Sequence, residues 1–334
     1  MAQVAVLGGG AWGTALAQML ASDPDHDGAR DVLLWAREAE VVEDINANHR
    51  NTPFLPSADL APSIRATGNL ADVAQVDVIL AVAPAQHLRS VLAQLPDFAG
   101  DLVICAKGIE QSTGALMSDV AKATCPQAKL AALSGPTFAH EVAAGLPAAV
   151  TLACEGGKDQ WARLSPVIAR ATFRPYFSDD LIGAEIGGAV KNVLAIACGV
   201  VDGLALGQNA RNALIARGFA EMVRFGETLG GRRETLTGLC GLGDLVLTCS
   251  STSSRNFSLG KAIGEGQSVT DLMSNRQTVA EGAHTAPVLA RLAKDKGIDM
   301  PIVDAVVALL DGAGAQAVVT DLLTRPLTAE SRPT

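Results

Sequence analysis

The chain has 334 residues, of which 49% are hydrophobic and 18% charged, and its formal net charge is −9. This composition excludes an intrinsically disordered chain and gives enough length for about two globular domains. The negative balance argues against a general nucleic-acid surface or an anionic-membrane surface, although local cations can still bind a small anionic substrate.

The chain begins with an apolar run, a glycine-rich bend and a helix-forming run. Val4–Leu7 predicts a buried strand, after which Gly8, Gly10 and Gly13 have the G-x-G-x-x-G spacing. Gly8 permits the tight turn, Gly10 lets the backbone approach a pyrophosphate, and Gly13 lets the helix pack closely on the strand. The helix start presents free N–H groups to the phosphates. We therefore predict a dinucleotide site; the alternative is a strand–turn–helix that uses glycine only for packing.

The rest of the first half alternates strand-like and helix-like segments. Further strands are predicted at Val32–Trp35, 76–82, 102–105, 130–133 and 148–153. Helical spacing occurs at 86–95 and 115–123, and weaker strands near a sheet edge are predicted at 63–67 and 172–177. Continuous apolar strands separated by helices indicate a parallel sheet that is covered on both faces. The fold class predicted is α/β, with a doubly wound Rossmann-type NAD(P)-binding domain over residues 1–180.

After about Asp179 the strand pattern stops and apolar helices follow. Helical spacing is predicted at 182–201, 212–229 and 303–310. We predict an all-helical domain over residues 181–325, to which the site residues and the resemblance described below assign substrate binding and catalysis, and a flexible tail over 326–334. Arg217 and Glu221, four residues apart on one of these helices, are predicted to form a supporting surface pair.

The residue at the end of the second strand bears on the choice of cofactor. An acidic residue is expected there if the ribose carries a free 2′-hydroxyl, whereas the sequence has Arg37. A 2′-phosphate needs a cation and a planar donor face, so Arg37 favours NADP over NAD. Glu38 is adjacent and within reach of a ribose, and an exposed arginine at a helix start is the plain alternative.

Two other strand ends carry candidate site residues. Lys107 follows the strand at 102–105, where a cation faces the crevice for cofactor and substrate; the alternative is a solvated loop lysine. Gly135 permits a close approach after the next strand. Thr137 offers a hydroxyl near a helix start, where simple N-capping is the commoner use.

Lys191 is the most informative residue of the second half, because nearly all its neighbours in sequence are small or apolar. Burying an ammonium group without a partner is costly, so Lys191 must pair, reach water or titrate. Desolvation lowers the pKa of a lysine and prepares it to exchange a proton with a carbonyl oxygen. Asp244 could hold this charge, although Asp244 alone favours a helix N-cap. A lysine that extends from a helix edge into water is the alternative for Lys191.

Ser254, Arg255 and Asn256 combine a hydroxyl, a guanidinium and an amide before a predicted helix. This combination fits a phosphate cradle, and a flexible serine-rich loop is the alternative. Glu281 is ambiguous from sequence, since it fits either binding of a cofactor amide or hydroxyl or simple exposure to water.

These segments, in this order, resemble the bacterial NAD(P)H-dependent glycerol-3-phosphate dehydrogenase family over almost the whole chain. The matching segments are 8–17, 34–37, 107–108, 134–139, 188–192, 241–244, 254–256 and 279–282. The resemblance implies reversible hydride transfer between NAD(P)H and dihydroxyacetone phosphate, giving sn-glycerol 3-phosphate for phospholipid synthesis. It leaves NADP and NAD both open, and only Arg37 favours NADP.

The resemblance also implies roles for individual residues. Lys191, Lys107 and Asp244 are the expected catalytic residues, with Lys191 exchanging the proton. The implied substrate-binding residues are Lys107, Gly135, Thr137, Lys191, Asp244, Ser254, Arg255 and Asn256. Besides the three glycines of the opening bend, the implied cofactor-binding residues are Ala11, Trp12, Arg37, Lys107, Ala139, Arg255, Val279 and Glu281.

Two other hypotheses remain open from the sequence. A lysine-dependent reductase of another hydroxy or keto acid would not need the cradle at 254–256, and an NADPH-sensing regulatory protein would not need a buried lysine. The expected partner is a small phosphorylated substrate, and the apolar helical half leaves a homodimer open.

The location in the cell is predicted from what the sequence lacks. It shows neither the pattern of a membrane-spanning segment nor that of a signal peptide. Its six cysteines are scattered without a C-x-x-C pair, as expected for reduced thiols in the cytoplasm, and its five dispersed histidines predict no metal site.

Overall fold

The computed structural model describes residues 3–22, 30–95, 97–274 and 280–326. The described residues of the first half contain one sheet of eight strands. The strands are β1 (Val4–Leu7), β2 (Val32–Trp35), β3 (Ile64–Thr67), β4 (Val78–Ala81), β5 (Asp101–Ile104), β6 (Lys129–Ser134), β7 (Ala148–Cys154) and β8 (Phe173–Ser178). Their order across the sheet is β3-β2-β1-β4-β5-β6-β7-β8, which contains the doubly wound order of dinucleotide-binding domains. The α/β fold class is confirmed, and the two weaker strand predictions correspond to the edge strands β3 and β8.

In the described residues of this half, helices accompany the sheet. They are α1 (Ala11–Ala21), α2 (Ala39–Asn48), α3 (Leu70–Val73), α4 (Ala85–Leu92), α5 (Met117–Thr124), α6 (Ala139–Ala143) and α7 (Gly157–Ile168). Side chains alternate along β1, so that Val4 and Val6 belong to one buried cluster and Ala5 and Leu7 to another. The sheet is therefore covered on both faces, which is why its central strands are apolar throughout.

The sheet is parallel, as predicted, except at one pairing, where β7 runs antiparallel to β6. The chain between these strands does not cross the sheet: its only helix, α6, packs against α1. β7 therefore starts near the sheet edge at which β6 ends and runs back along it, and β8 then pairs with β7 in parallel. Apolar character does not encode the direction of a strand, so this reversal is invisible in the sequence pattern.

The second half is helical in the described residues. Its helices are α8 (Leu181–Gly203), α9 (Gly207–Thr228), α10 (Arg233–Leu236), α11 (Asp244–Thr248), α12 (Arg255–Gly264), α13 (Val269–Ser274), α14 (Glu281–Asp295), α15 (Pro301–Leu310) and α16 (Ala315–Leu323). A π-helical turn, Leu239–Gly243, connects α10 to α11.

The centre of this half is α8, which packs against α9, α12, α14 and α15. Within the described residues α8 is the one helix long and apolar enough to span a membrane, and that stretch is wholly buried inside the protein. Such all-round apolarity is also typical of a core helix. Glycines bring α12 against it: a Cβ on Gly260 would lie 1.9 Å from the Ile196 carbonyl oxygen, and one on Gly199 would lie 2.1 Å from that of Phe257.

Glu221 is buried rather than part of a surface pair, so that prediction is wrong. Its side chain is 2% exposed, and its carboxylate accepts hydrogen bonds from the backbone N–H groups of Ile302 (2.9 Å) and Val303 (3.4 Å). These groups lie in the first turn of α15, where N–H groups have no partner within the helix. Burial raises the pKa of Glu221 to about 7, although the two hydrogen bonds oppose this change. Arg217 is exposed.

We expect Glu221→Ala to lower the free energy of unfolding by about 1–3 kcal/mol, because it leaves buried N–H groups without an acceptor. Glu221→Gln retains a carbonyl oxygen and should lose less. Urea unfolding at pH 6, below the pKa of about 7, measures both variants. Arg217→Ala is the matched control and should change stability by less than about 0.5 kcal/mol. Equal losses in Glu221→Ala and Arg217→Ala would contradict this account.

Candidate active site

A cleft of about 620 Å³ lies between the two halves of the chain, at the carboxyl ends of the central strands. Its lining from the first half includes 8–13, Trp35, Arg37, Pro84, Lys107 and 137–140. Its lining from the second half is Lys191, Asn192, Thr248, 253–256 and Glu281. Open α/β sheets bind ligands at this edge, so the cleft is the candidate active site.

The glycine-rich bend forms one wall of the cleft. Gly8 has φ +135°, and a Cβ there would lie 3.0 Å from the Val82 and Ala83 backbone. A Cβ on Gly13 would lie 1.9 Å from the carbonyl oxygen of Gly8, so the start of α1 can approach β1 only with glycine at this position. A Cβ on Gly10 would meet no protein atom within 4 Å, which leaves this backbone open to a ligand.

Buried polar atoms of the cleft also fit a dinucleotide. The indole Nε1 of Trp12 and the carboxyl Oε2 of Glu281 are buried and have no hydrogen-bond partner among the described residues. The other oxygen of Glu281 accepts a hydrogen bond from the Ala85 N–H (3.2 Å), and burial raises the pKa of Glu281 to about 6. Ala11 and Ala139 are the first residues of α1 and α6 at the same cleft. A nicotinamide nucleotide can form hydrogen bonds with both of these atoms, the Trp12 donor and the Glu281 acceptor.

Arg37 lies at the cleft end of β2 with its side chain 73% exposed. Its guanidinium pairs with the carboxylate of Glu38, with a shortest distance of 2.8 Å. Because both side chains line the cleft, an added phosphate on a ribose would compete with Glu38 for this cation.

One carboxylate holds both lysines of the cleft. The Nζ of Lys191 lies 2.6 Å from Oδ1 of Asp244, and the Nζ of Lys107 lies 2.7 Å from Oδ2. Lys191 also contacts the hydroxyl of Thr248 (2.9 Å), and Lys107 donates to the carbonyl of Gly135 (3.2 Å). Asp244 is fully buried and Lys191 nearly so. Lys191 therefore does not extend into water as a lysine at a helix edge would.

Burial lowers the pKa of Lys191 to about 8. The negative charge of Asp244 opposes this change, and the positive charge of Lys107 adds to it. A lysine with this pKa exists in both protonation states near neutral pH, as a proton donor and acceptor requires.

The position of Asp244 depends on close backbone packing. It is the first residue of α11 and follows the π-helical turn, so the expectation of a capping role is wrong: Gly243 occupies the N-cap. A Cβ on Gly187 would lie 2.4 Å from the carbonyl oxygen of Cys240, so glycine lets α8 approach this turn. The turn thereby places the carboxylate of Asp244 beside Lys191.

The segment 254–256 begins α12 at the cleft. Ser254 is the N-cap and accepts a hydrogen bond from the Phe257 N–H (3.2 Å). Asn256 donates to Oδ1 of Asn192 (3.0 Å) and accepts from the Gly282 N–H (2.9 Å). Arg255 is exposed and lines the cleft beside these two residues. The cradle thus combines a helix N-terminus with an arginine, both suited to an anion.

The remaining predicted residues are placed as follows. Thr137 lines the cleft and donates to the Gly135 carbonyl (3.2 Å). The alternative of simple N-capping does not hold, because Phe138 is the N-cap of α6. The close approach at Gly135 is to the next strand, since a Cβ there would lie 2.8 Å from the Cα of Val150. Val279 lies outside the described residues.

Thr248 and Asn192 are site residues that the sequence motifs did not indicate. Thr248 contacts Lys191 and lies 3.2 Å from Asp244, and Asn192 connects Gly188 to Asn256. The position of Thr248 relative to Asp244 does indicate it, because residues four apart on a helix share a face and Thr248 lies four residues after Asp244.

Comparisons with known proteins agree with this geometry. Residues 3–160 match the family model for the N-terminus of NAD-dependent glycerol-3-phosphate dehydrogenase, and residues 180–320 match the model for its C-terminus. The chain is 68% identical to glycerol-3-phosphate dehydrogenase [NAD(P)+] of Erythrobacter litoralis and to that of Novosphingobium aromaticivorans, over 98% of each chain.

A solved structure supports the same assignment. The crystal structure of glycerol-3-phosphate dehydrogenase from Coxiella burnetii is 38% identical and superposes with a TM-score of 0.90, covering 97% of this chain and 99% of that one. With both halves matched in sequence and the whole fold matched in space, the chain belongs to the NAD-dependent glycerol-3-phosphate dehydrogenase family.

Proposed function

We propose that this protein is a glycerol-3-phosphate dehydrogenase that reversibly reduces dihydroxyacetone phosphate to sn-glycerol 3-phosphate with NADPH or NADH. The observation that carries the proposal is the pairing of Lys191 and Lys107 with one buried carboxylate beside a glycine-rich nucleotide cleft. Reduction of a ketone needs a hydride, a proton and stabilisation of a developing alkoxide. The product is a precursor of glycerophospholipids, so we place the enzyme in lipid synthesis.

The chemistry is divided between the cofactor and the two lysines. A nicotinamide nucleotide, held by the glycine-rich bend, Trp12 and Glu281, would supply the hydride when bound. Lys191 donates a proton to the carbonyl oxygen as negative charge develops there, and in the reverse direction it accepts that proton. Lys107 contributes positive potential beside the same oxygen. Asp244 keeps both Nζ atoms in place, since it contacts each of them within 2.7 Å.

The cradle at the start of α12 binds the phosphate of the substrate in this proposal. Arg255 supplies a cation and Asn256 an amide, while Ser254 holds the first turn through its cap. Fixing the phosphate positions the carbonyl group for hydride attack, and such positioning accounts for a large part of enzymatic rate enhancement.

The organisation and location of the enzyme follow from the same proposal. Residues 1–180 are the NAD(P)-binding domain, and residues 181–325 are the substrate-binding and catalytic domain. The enzyme is located in the cytoplasm. Its six cysteines are free and buried, which supports this location because reduced thiols persist there. The enzyme assembles as a homodimer whose interface is formed by apolar surface of the helical half.

The direct test is NAD(P)H oxidation followed by absorbance with dihydroxyacetone phosphate and with unphosphorylated dihydroxyacetone. We expect turnover with the phosphate ester and a kcat/KM lower by at least about 100-fold without the phosphate, because several charge-assisted contacts are lost. Equal turnover with both ketones, or none with the ester, would contradict the proposal. A Lys191→Met control should lose about 100-fold in turnover and still bind NADPH, which distinguishes an enzyme from a nucleotide sensor.

The preference for NADPH is tested at Arg37. We expect Arg37→Ala to raise the KM for NADPH about three- to tenfold with little change for NADH, because only NADPH carries a 2′-phosphate and the arginine is exposed. Steady-state kinetics with both cofactors measures the effect. Arg50 is the matched control, since it is also exposed and ion-paired, with Asp59 at 2.6 Å, and lies outside the cleft lining. Equal changes for both cofactors would show that Arg37 does not select NADP.

A further inference from the structure

Asn51 lies beneath the glycine-rich bend without lining the cleft. It is fully buried in the connection between α2 and β3. Its Nδ2 lies 2.8 Å from the carbonyl oxygen of Gly9 and 2.7 Å from the hydroxyl of Thr14. The Gly9 carbonyl can only accept a hydrogen bond, so the amide nitrogen, not the oxygen, must face it. Asn51 therefore holds the middle of the bend from the protein interior.

Because the peptide bond is planar, this contact also fixes the direction of the Gly10 N–H group. In a trans peptide the C=O and the following N–H point in opposite directions. With the Gly9 carbonyl turned inward onto Asn51, the N–H of Gly10 is aimed away from Asn51. Gly10 is exposed, lines the cleft and has no atom near the position of a Cβ. An anion in the cleft can approach this N–H without steric hindrance.

The backbone of Asn51 organises a second wall of the same cleft. Its carbonyl oxygen accepts hydrogen bonds from the N–H groups of Leu55 (2.8 Å) and Phe54 (3.3 Å). Phe54 and Leu55 line the same cleft as the glycine-rich bend. One buried residue thus connects the phosphate-facing bend to an apolar wall of the nucleotide site.

We propose that Asn51 is a positioning residue for the dinucleotide: it fixes the Gly9–Gly10 peptide so that the Gly10 N–H donates to the pyrophosphate. The proposal rests on the proposed function, which places a dinucleotide in this cleft. Asn51 itself does not touch the cofactor. Its effect is preorganisation, which raises affinity by removing the cost of ordering the bend at the moment of binding.

The test is the affinity of NADPH, measured by quenching of tryptophan fluorescence from Trp12 and Trp35, which line the cleft. Asn51→Leu keeps about the same volume and removes the donor. We expect its Kd for NADPH to rise about tenfold and its KM for NADPH to rise with it. The kcat and the KM for dihydroxyacetone phosphate should stay within about twofold, because the lysines and the phosphate cradle are unchanged.

Asn46→Leu is the matched control. Asn46 also connects two elements through its side-chain amide, with hydrogen bonds to the N–H and C=O of Ala66 at 2.9 Å, but it does not contact the bend. A purely structural role for Asn51 would lower the melting temperature of both variants and leave the Kd for NADPH unchanged in both. That result would overturn the inference.

Two further outcomes bear on the role of Asn51. If Asn51→Leu does not fold, Asn51→Ala measured well below its melting temperature decides the question by the same change in Kd. If the unmodified protein binds neither NADPH nor NADH, the proposed function fails and the inference fails with it. Binding by the unmodified protein and equal binding by a folded Asn51 variant would refute the inference alone.

Discussion

The shared carboxylate of Asp244 is the interaction on which the rest of the site depends. Two ammonium groups this close repel each other, and burial penalises the charge on Lys191 further. A single buried carboxylate that contacts both offsets these costs, and it does so across the junction of the two halves, since Lys107 follows β5 while Lys191 lies on α8. Removing one partner of such a buried pair leaves an uncompensated charge. The seam between the halves is thus held by the groups to which we assign the chemistry.

The backbone around this ion cluster is built to permit close approach. Glycines let α8 contact α12 and the π-helical turn at distances that any side chain would forbid. Asn192 then extends the contact from α8 to the start of α12 through Asn256, which in turn holds the N–H of Gly282. Lys191, the start of α12 and Glu281 are therefore held relative to one another. Displacements of about 1 Å matter at such a site, because catalysis depends on the alignment of the reacting groups.

Local features of the sequence predicted much of this arrangement. The glycine spacing after an apolar run indicated the bend, and an isolated lysine in an apolar helix indicated a buried cation in need of a partner. Features set by tertiary contacts could not be read in the same way. The reversal of β7, the burial of Glu221 beneath α15 and the double pairing of Asp244 each depend on a neighbour far away in the chain. Propensity favoured a capping role for Asp244 and Thr137, and packing gave both a different one.

Burial lowers the pKa of Lys191, and the negative charge of Asp244 limits how far this pKa falls. The most direct measurement is the pH dependence of kcat/KM for ketone reduction in the unmodified enzyme and in Asp244→Asn, since this parameter reports the pKa values of the free enzyme. In the unmodified enzyme the rate should be highest below the Lys191 pKa of about 8 and fall above it, as the ammonium loses its proton. In Asp244→Asn the fall should move to lower pH, because the negative charge that favours the ammonium is gone. A fall at the same pH in both enzymes would contradict the account.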